Sequence, residues 1–130
     1  VASPAPFTYS ATLAYPPDEG VSACEIPITL SAYFSNSASF LYELSGAGTQ
    51  DVDFGSITPN GAKMVQIEVD ADASPAAQPV QVTFNGGTDQ IEISPGGFLS
   101  YGSPSPTAAG ILSMSIAHAA DVTVRVRVLG

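Results

Sequence analysis

Residues 80–93 read Val80-Gln81-Val82-Thr83-Phe84-Asn85-Gly86-Gly87-Thr88-Asp89-Gln90-Ile91-Glu92-Ile93. Val80, Val82 and Phe84 alternate with Gln81 and Thr83, and Ile91 and Ile93 flank Glu92. In an extended chain successive side chains leave on opposite faces, so this alternation marks strands with one covered face. Asn and Gly tolerate the positive φ that a tight hairpin turn demands, and Asn85-Gly86 sits between the two runs. The stretch predicts an antiparallel hairpin.

The same period recurs on both sides of it. Phe7, Tyr9, Ala11, Leu13 and Tyr15 alternate until Pro16-Pro17-Asp18 stops them, and Ile26, Ile28, Leu30 and Ala32 follow. Phe40, Tyr42 and Leu44 repeat the pattern, as do Val65, Ile67 and Val69, then Leu112, Met114 and Ile116, then Val122, Val124, Val126 and Val128. Ser45-Gly46-Ala47-Gly48, Pro59-Asn60-Gly61 and Pro95-Gly96-Gly97 supply turn chemistry between runs. The alanine-bearing stretch 71–78 is interrupted by Pro75 and closed by Pro79, and it reads as a loop rather than a helix. The expectation is an all-β fold, an antiparallel two-sheet β-sandwich of jelly-roll type over residues 7–130. Residues 1–6, with Pro4 and Pro6, read as an extended N-terminal arm. Residues 102–110, with Pro104 and Pro106, read as a long surface loop able to carry function.

Composition narrows the function by exclusion. At 130 residues the chain has the size of one domain. Its net charge is −9, and its only cations are Lys63, Arg125 and Arg127, too few for the basic footprint of a nucleic-acid binder or an anionic-membrane binder. Only 12% of residues are charged, so much of the exterior must be small and uncharged, or covered by a partner. No run approaches the roughly 18 apolar residues of a membrane span, and residues 1–6 lead to no expectation of a signal peptide. One cysteine and one histidine cannot build a zinc cluster within a single chain, and a lone thiol fits folding in a reducing compartment.

Candidate chemistry is sparse. His118 ends the run Met114-Ser115-Ile116-Ala117-His118 and reads as a strand-end histidine without a catalytic role. Cys24 is in phase with Ile26 and Ile28 and reads as a buried structural thiol. Asp51 with Asp53, and Glu68 with Asp70 and Asp72, place carboxylates on common faces, but they match no calcium loop and read as solvated turn residues. No Gly-x-Ser-x-Gly elbow and no phosphate-binding loop is present. No enzymatic activity and no cofactor is expected. Tyr9, Tyr15, Tyr33 and Tyr42 fall inside expected strands and read as packing residues, which leaves Tyr101 as the exposed candidate for an interface. Arg125 and Arg127 share one face of the last strand. Either they pair with carboxylates across the neighbouring strand, or they meet an acidic patch of another subunit. The interface candidates are therefore Arg125, Arg127, Tyr101, Pro104 and Pro106.

Residues 80–130 run Val-Gln-Val-Thr-Phe-Asn-Gly-Gly, Ile-Glu-Ile-Ser-Pro-Gly-Gly-Phe-Leu, a proline-bearing loop, Ile-Leu-Ser-Met-Ser-Ile and Ala-Asp-Val-Thr-Val-Arg-Val-Arg-Val-Leu-Gly. This order resembles small virion proteins of tailed bacteriophages that end in a compact β-sandwich, among them head-decoration and tail- or fibre-associated components. The resemblance implies a non-enzymatic virion part made in the host cytoplasm. It would form a homo-oligomer and dock on other capsid or tail proteins. It carries over no functional residue, because such proteins are defined by interfaces. The alternative is a carbohydrate-binding or adhesin-like module of a bacterial surface protein.

Overall fold

Alternation and turn chemistry resolve into ten strands in the computed structural model, which describes residues 4–18, 20, 22–55, 57, 61–71, 78–107 and 110–130. They are β1 (Ala5–Tyr15), β2 (Cys24–Phe34), β3 (Ser37–Leu44), β4 (Gly48–Val52), β5 (Met64–Val69), β6 (Val80–Phe84), β7 (Ile91–Ile93), β8 (Phe98–Gly102), β9 (Met114–His118) and β10 (Val122–Leu129). All pairings are antiparallel, and the described residues contain no helix.

Two four-stranded sheets make the sandwich, one in the order β3-β10-β5-β8 and the other in the order β4-β9-β6-β7. Their inner faces carry the alternating residues read from the sequence. Val65, Ile67, Val69, Val124, Val126 and Val128 come from the first sheet, and Val52, Val80, Val82, Ile93, Met114 and Ile116 from the second, in one buried cluster. The register accounts for this: Val124, Val126 and Val128 lie opposite Val69, Ile67 and Val65 on one side and Tyr42, Phe40 and Ala38 on the other. The central strand β10 therefore has apolar neighbours at every inward position. Among the described pairings of the sandwich, only β6 and β7 are consecutive in the chain; the other strands pair with partners distant in sequence.

The expected hairpin at 80–93 forms, with Val80 opposite Ile93 and Val82 opposite Ile91. Asn85 and Gly86 have φ of 55° and 65°, and the Gly87 amide donates to the Phe84 carbonyl at 3.0 Å. Two successive left-handed residues match the twist of the flanking strands.

β1 and β2 do not join either sheet; they pair only with each other. The expected arm at 1–6 is reduced accordingly. Residues 1–3 lie outside the described part, and Ala5 and Pro6 already pair with Phe34 and Tyr33. A proline is tolerated there because a two-stranded ribbon leaves each strand one open edge. Of the loop expected at 71–78, residues 72–77 also lie outside the described part.

Candidate functional site

The β1–β2 ribbon has one face of a single character. Facing pairs Ala5–Phe34, Phe7–Ala32, Tyr9–Leu30, Ala11–Ile28, Leu13–Ile26 and Tyr15–Cys24 share it, because cross-strand partners point the same way. The opposite face carries Thr8, Ser10, Thr12, Thr29 and Ser31, with Glu25 its acidic member within the two strands and Pro6, Ala14, Pro27 and Tyr33 among them. The ribbon is therefore amphipathic by strand period alone.

Its base is fastened to the sandwich. The Ser35 and Asn36 amides donate to the Gly130 carbonyl at 2.8 and 3.0 Å, and the Lys63 ammonium donates to the Tyr33 carbonyl. Leu30 packs on Gly102, where a Cβ would stand 2.9 Å from Leu30 Cδ1, so any larger residue would have to push the end of the Leu30 side chain aside. Met64 shows what this contact covers. It alternates with the inward Val65 and faces outward beside Gly102, yet it is only 5% exposed. Beyond this seat the ribbon and β8 diverge around a cleft of about 520 Å³ lined by Tyr9, Leu13, Ile28, Leu30, Phe98 and Ser100. The Ser100 hydroxyl is buried without a hydrogen-bond partner among the described residues.

Toward its tip the apolar face lies open. Leu13, Tyr15, Ile26 and Ile28 are 62, 43, 50 and 61% exposed, and Phe98 at the rim of the cleft is 69% exposed. Around Tyr15 and Cys24 the surface is lined by ribbon and turn residues, Ala14, Pro16, Ala23 and Glu25. Two readings from the sequence are corrected here. Cys24 is half-buried near a ribbon tip rather than buried in a core, and Tyr15 and Tyr33 are exposed rather than packed. Cys24 and Tyr15 have the apolar phase, but among the described residues no second layer covers them at the tip, whereas Tyr33 sits near the ribbon base on the opposite face, beside Pro6.

The other candidates have local roles. Tyr101 is not the exposed platform expected of it: it lies opposite Val65 and packs half-buried against the core. Pro104 is exposed and Pro106 half-buried, and the loop that holds them is anchored by the Ser103 amide on the Lys63 carbonyl at 2.8 Å. His118 Nδ1 lies 2.6 Å from the Gly46 carbonyl, and since a carbonyl only accepts, this nitrogen carries the proton. Asp121 accepts from the Gly46 amide at 2.6 Å, so both side chains hold the turn between β3 and β4. Tyr42 has its pKa raised above the ordinary phenol value by burial, with the Asp53 carboxylate adding to the rise and a backbone hydrogen bond from Asp53 opposing it.

Arg125 pairs with Asp70, and Arg127 lies 3.5 Å from Glu68 and 3.3 Å from the Gln66 side-chain oxygen. The carboxylates on β5 and just beyond it thus supply the partners that the cross-strand reading required. The two arginine side chains are 41 and 50% exposed, and exposed pairs of this kind contribute about 1 kcal/mol or less each. Replacing both with alanine should lower stability by no more than about 2 kcal/mol in a denaturant titration. Sedimentation of the double variant should match the native protein at equal concentration. Among the described residues no three His, Cys, Asp or Glu side chains group as metal ligands.

Comparison with protein families, curated proteins and solved structures finds no match for this chain. The amphipathic ribbon is the feature that sequence reading missed as a site. Its signal was present as two apolar runs of equal phase, separated by Pro16-Pro17-Asp18 and the residues up to Cys24.

Proposed function

We propose that this chain is a non-enzymatic structural component of a bacteriophage virion. It decorates the capsid or attaches tail or fibre parts, through self-association and docking on other virion proteins. One observation carries the reading: a ribbon of two 11-residue strands stands outside a sandwich that is already complete, with an apolar face left open at its tip. A two-stranded ribbon is marginal in water unless its apolar face is covered, so this element suits a protein that is finished by its neighbours. The strand order β3-β10-β5-β8 over β4-β9-β6-β7 supports reading the sandwich as a jelly roll, an architecture used for capsid and lectin domains. The carbohydrate-binding alternative is weaker, because Tyr101, its best platform residue, packs inward.

Imaging and mass spectrometry of purified phage particles encoding this chain test the proposal. The expected result is a regular, stoichiometric copy number at fixed positions on head or tail. Absence from particles, or saturable binding to a glycan array by the isolated chain, would replace it with the adhesin-like reading.

A further inference from the structure

We infer that the open face of the β1–β2 ribbon is the self-association surface, and that a second copy of this chain covers it, ribbon face against ribbon face. This deepens the assembly reading above and rests on it only for the claim that the chain self-associates.

Three observations favour a second copy over a different protein. The first is self-complementarity. The open face is formed by Leu13, Tyr15, Ile26, Ile28 and the half-buried Cys24, with no charged member. Two chains of net charge −9 can approach closely only through uncharged surface, and this face provides it. The second is layer completion. Each ribbon presents apolar residues on one side and Thr8, Ser10, Thr12, Thr29 and Ser31 on the other. Two ribbons packed face to face make a small two-layer sandwich, apolar within and hydroxyl-bearing without, which is the arrangement a two-stranded sheet needs to be stable.

The third is area. At their stated exposures Leu13, Tyr15, Ile26 and Ile28 leave roughly 450 Å² uncovered per chain, so an isologous pair would bury about 900 Å², just under the roughly 1,000 Å² of a stable specific interface. An interface of this size suits association that is weak between free molecules and reinforced where many copies are held together.

The test is sedimentation of the full chain from about 5 to 500 µM, with two single variants of equal added charge. Ile28→Asp puts a carboxylate on the open face, while Thr29→Asp puts one on the hydroxyl face beside it. The native protein should associate within this range, Ile28→Asp should raise the midpoint concentration at least about tenfold, and Thr29→Asp should leave it within about twofold. Cys24 gives an independent readout on the same face: maleimide should modify it several-fold faster in Ile28→Asp than in the associated native protein. If Ile28→Asp fails to fold, Ile26→Ser, which adds no charge, should produce the same loss of association.

A native chain that stays monomeric throughout overturns the inference. So does an equal shift by both aspartate variants, which would reflect net charge alone. Association that survives Ile28→Asp and Ile26→Ser places the interface elsewhere and overturns it too, while leaving the assembly reading standing. Association lost in Ile28→Asp, by a chain absent from purified particles, upholds the ribbon interface and removes the virion reading.

Discussion

Ile116→Ala should lower the free energy of unfolding by about 3–4 kcal/mol, whereas Ile28→Ala should change it by less than about 1 kcal/mol. The chemistry deleted is the same at both positions. Ile116 lies in β9 between Gln50 of β4 and Val82 of β6, with none of its surface exposed. Truncation there removes buried methyl groups and leaves a cavity that two flanking strands cannot close, because both are fixed by their ladders. Ile28 lies opposite Ala11 on the open ribbon, so truncation removes contact mainly with solvent. Urea titrations at about 1 µM protein, where association does not contribute, separate the two. A domain of this size has only about 5–15 kcal/mol in hand, so Ile116→Ala should be visibly less stable while keeping an unchanged denaturant slope. Equal losses at the two positions would mean that the ribbon is part of the core.

That contrast shows where the sequence stops being informative. Ile28 and Ile116 belong to runs with the same period, and period two says only that one face is apolar. It does not say which layer, or whose, covers that face. The hairpin at 80–93 was legible because Asn85 and Gly86 impose a local conformation that their own chemistry permits. The pairing of β10 with β3 and β5 was not, since Arg125 meets Leu41 and Glu68 across connections of dozens of residues. The face shared by the two arginines could be read; their partners Asp70 and Glu68 depended on register. Tyr101 failed for the same reason. A proline-bearing loop nearby suggested exposure, but its place opposite Val65 turns it inward. Met64 is the reverse case: an outward residue buried because Leu30 and Gly102 bring the ribbon down beside it.

Asn85→Ala should cost about 3 kcal/mol, Asn85→Gly about 2 and Asn85→Asp about 1, in that order. Asn85 does two things at once. Its backbone takes the left-handed conformation that opens the β6–β7 turn. Its side chain reaches back to the strand-free segment before β9: Oδ1 accepts from the Leu112 and Ser113 amides at 2.7 and 3.1 Å, and Nδ2 donates to the Gly110 carbonyl at 3.0 Å. Alanine loses these three hydrogen bonds, each worth about 0.5–1.5 kcal/mol net, and also strains the turn by about 1 kcal/mol. Glycine relieves the strain but not the lost bonds. Aspartate keeps the acceptor for the two amides and tolerates the conformation, losing only the donor to Gly110. The Asn85 amide still donates to the Ser113 carbonyl at 3.0 Å in every variant, so the segment should loosen rather than detach. Amide exchange at Leu112 and Ser113 should therefore accelerate in the alanine and glycine variants before global unfolding does. A glycine variant as stable as the native protein, with exchange unchanged at these two amides, would show that the turn conformation alone matters and that the side-chain clip contributes nothing.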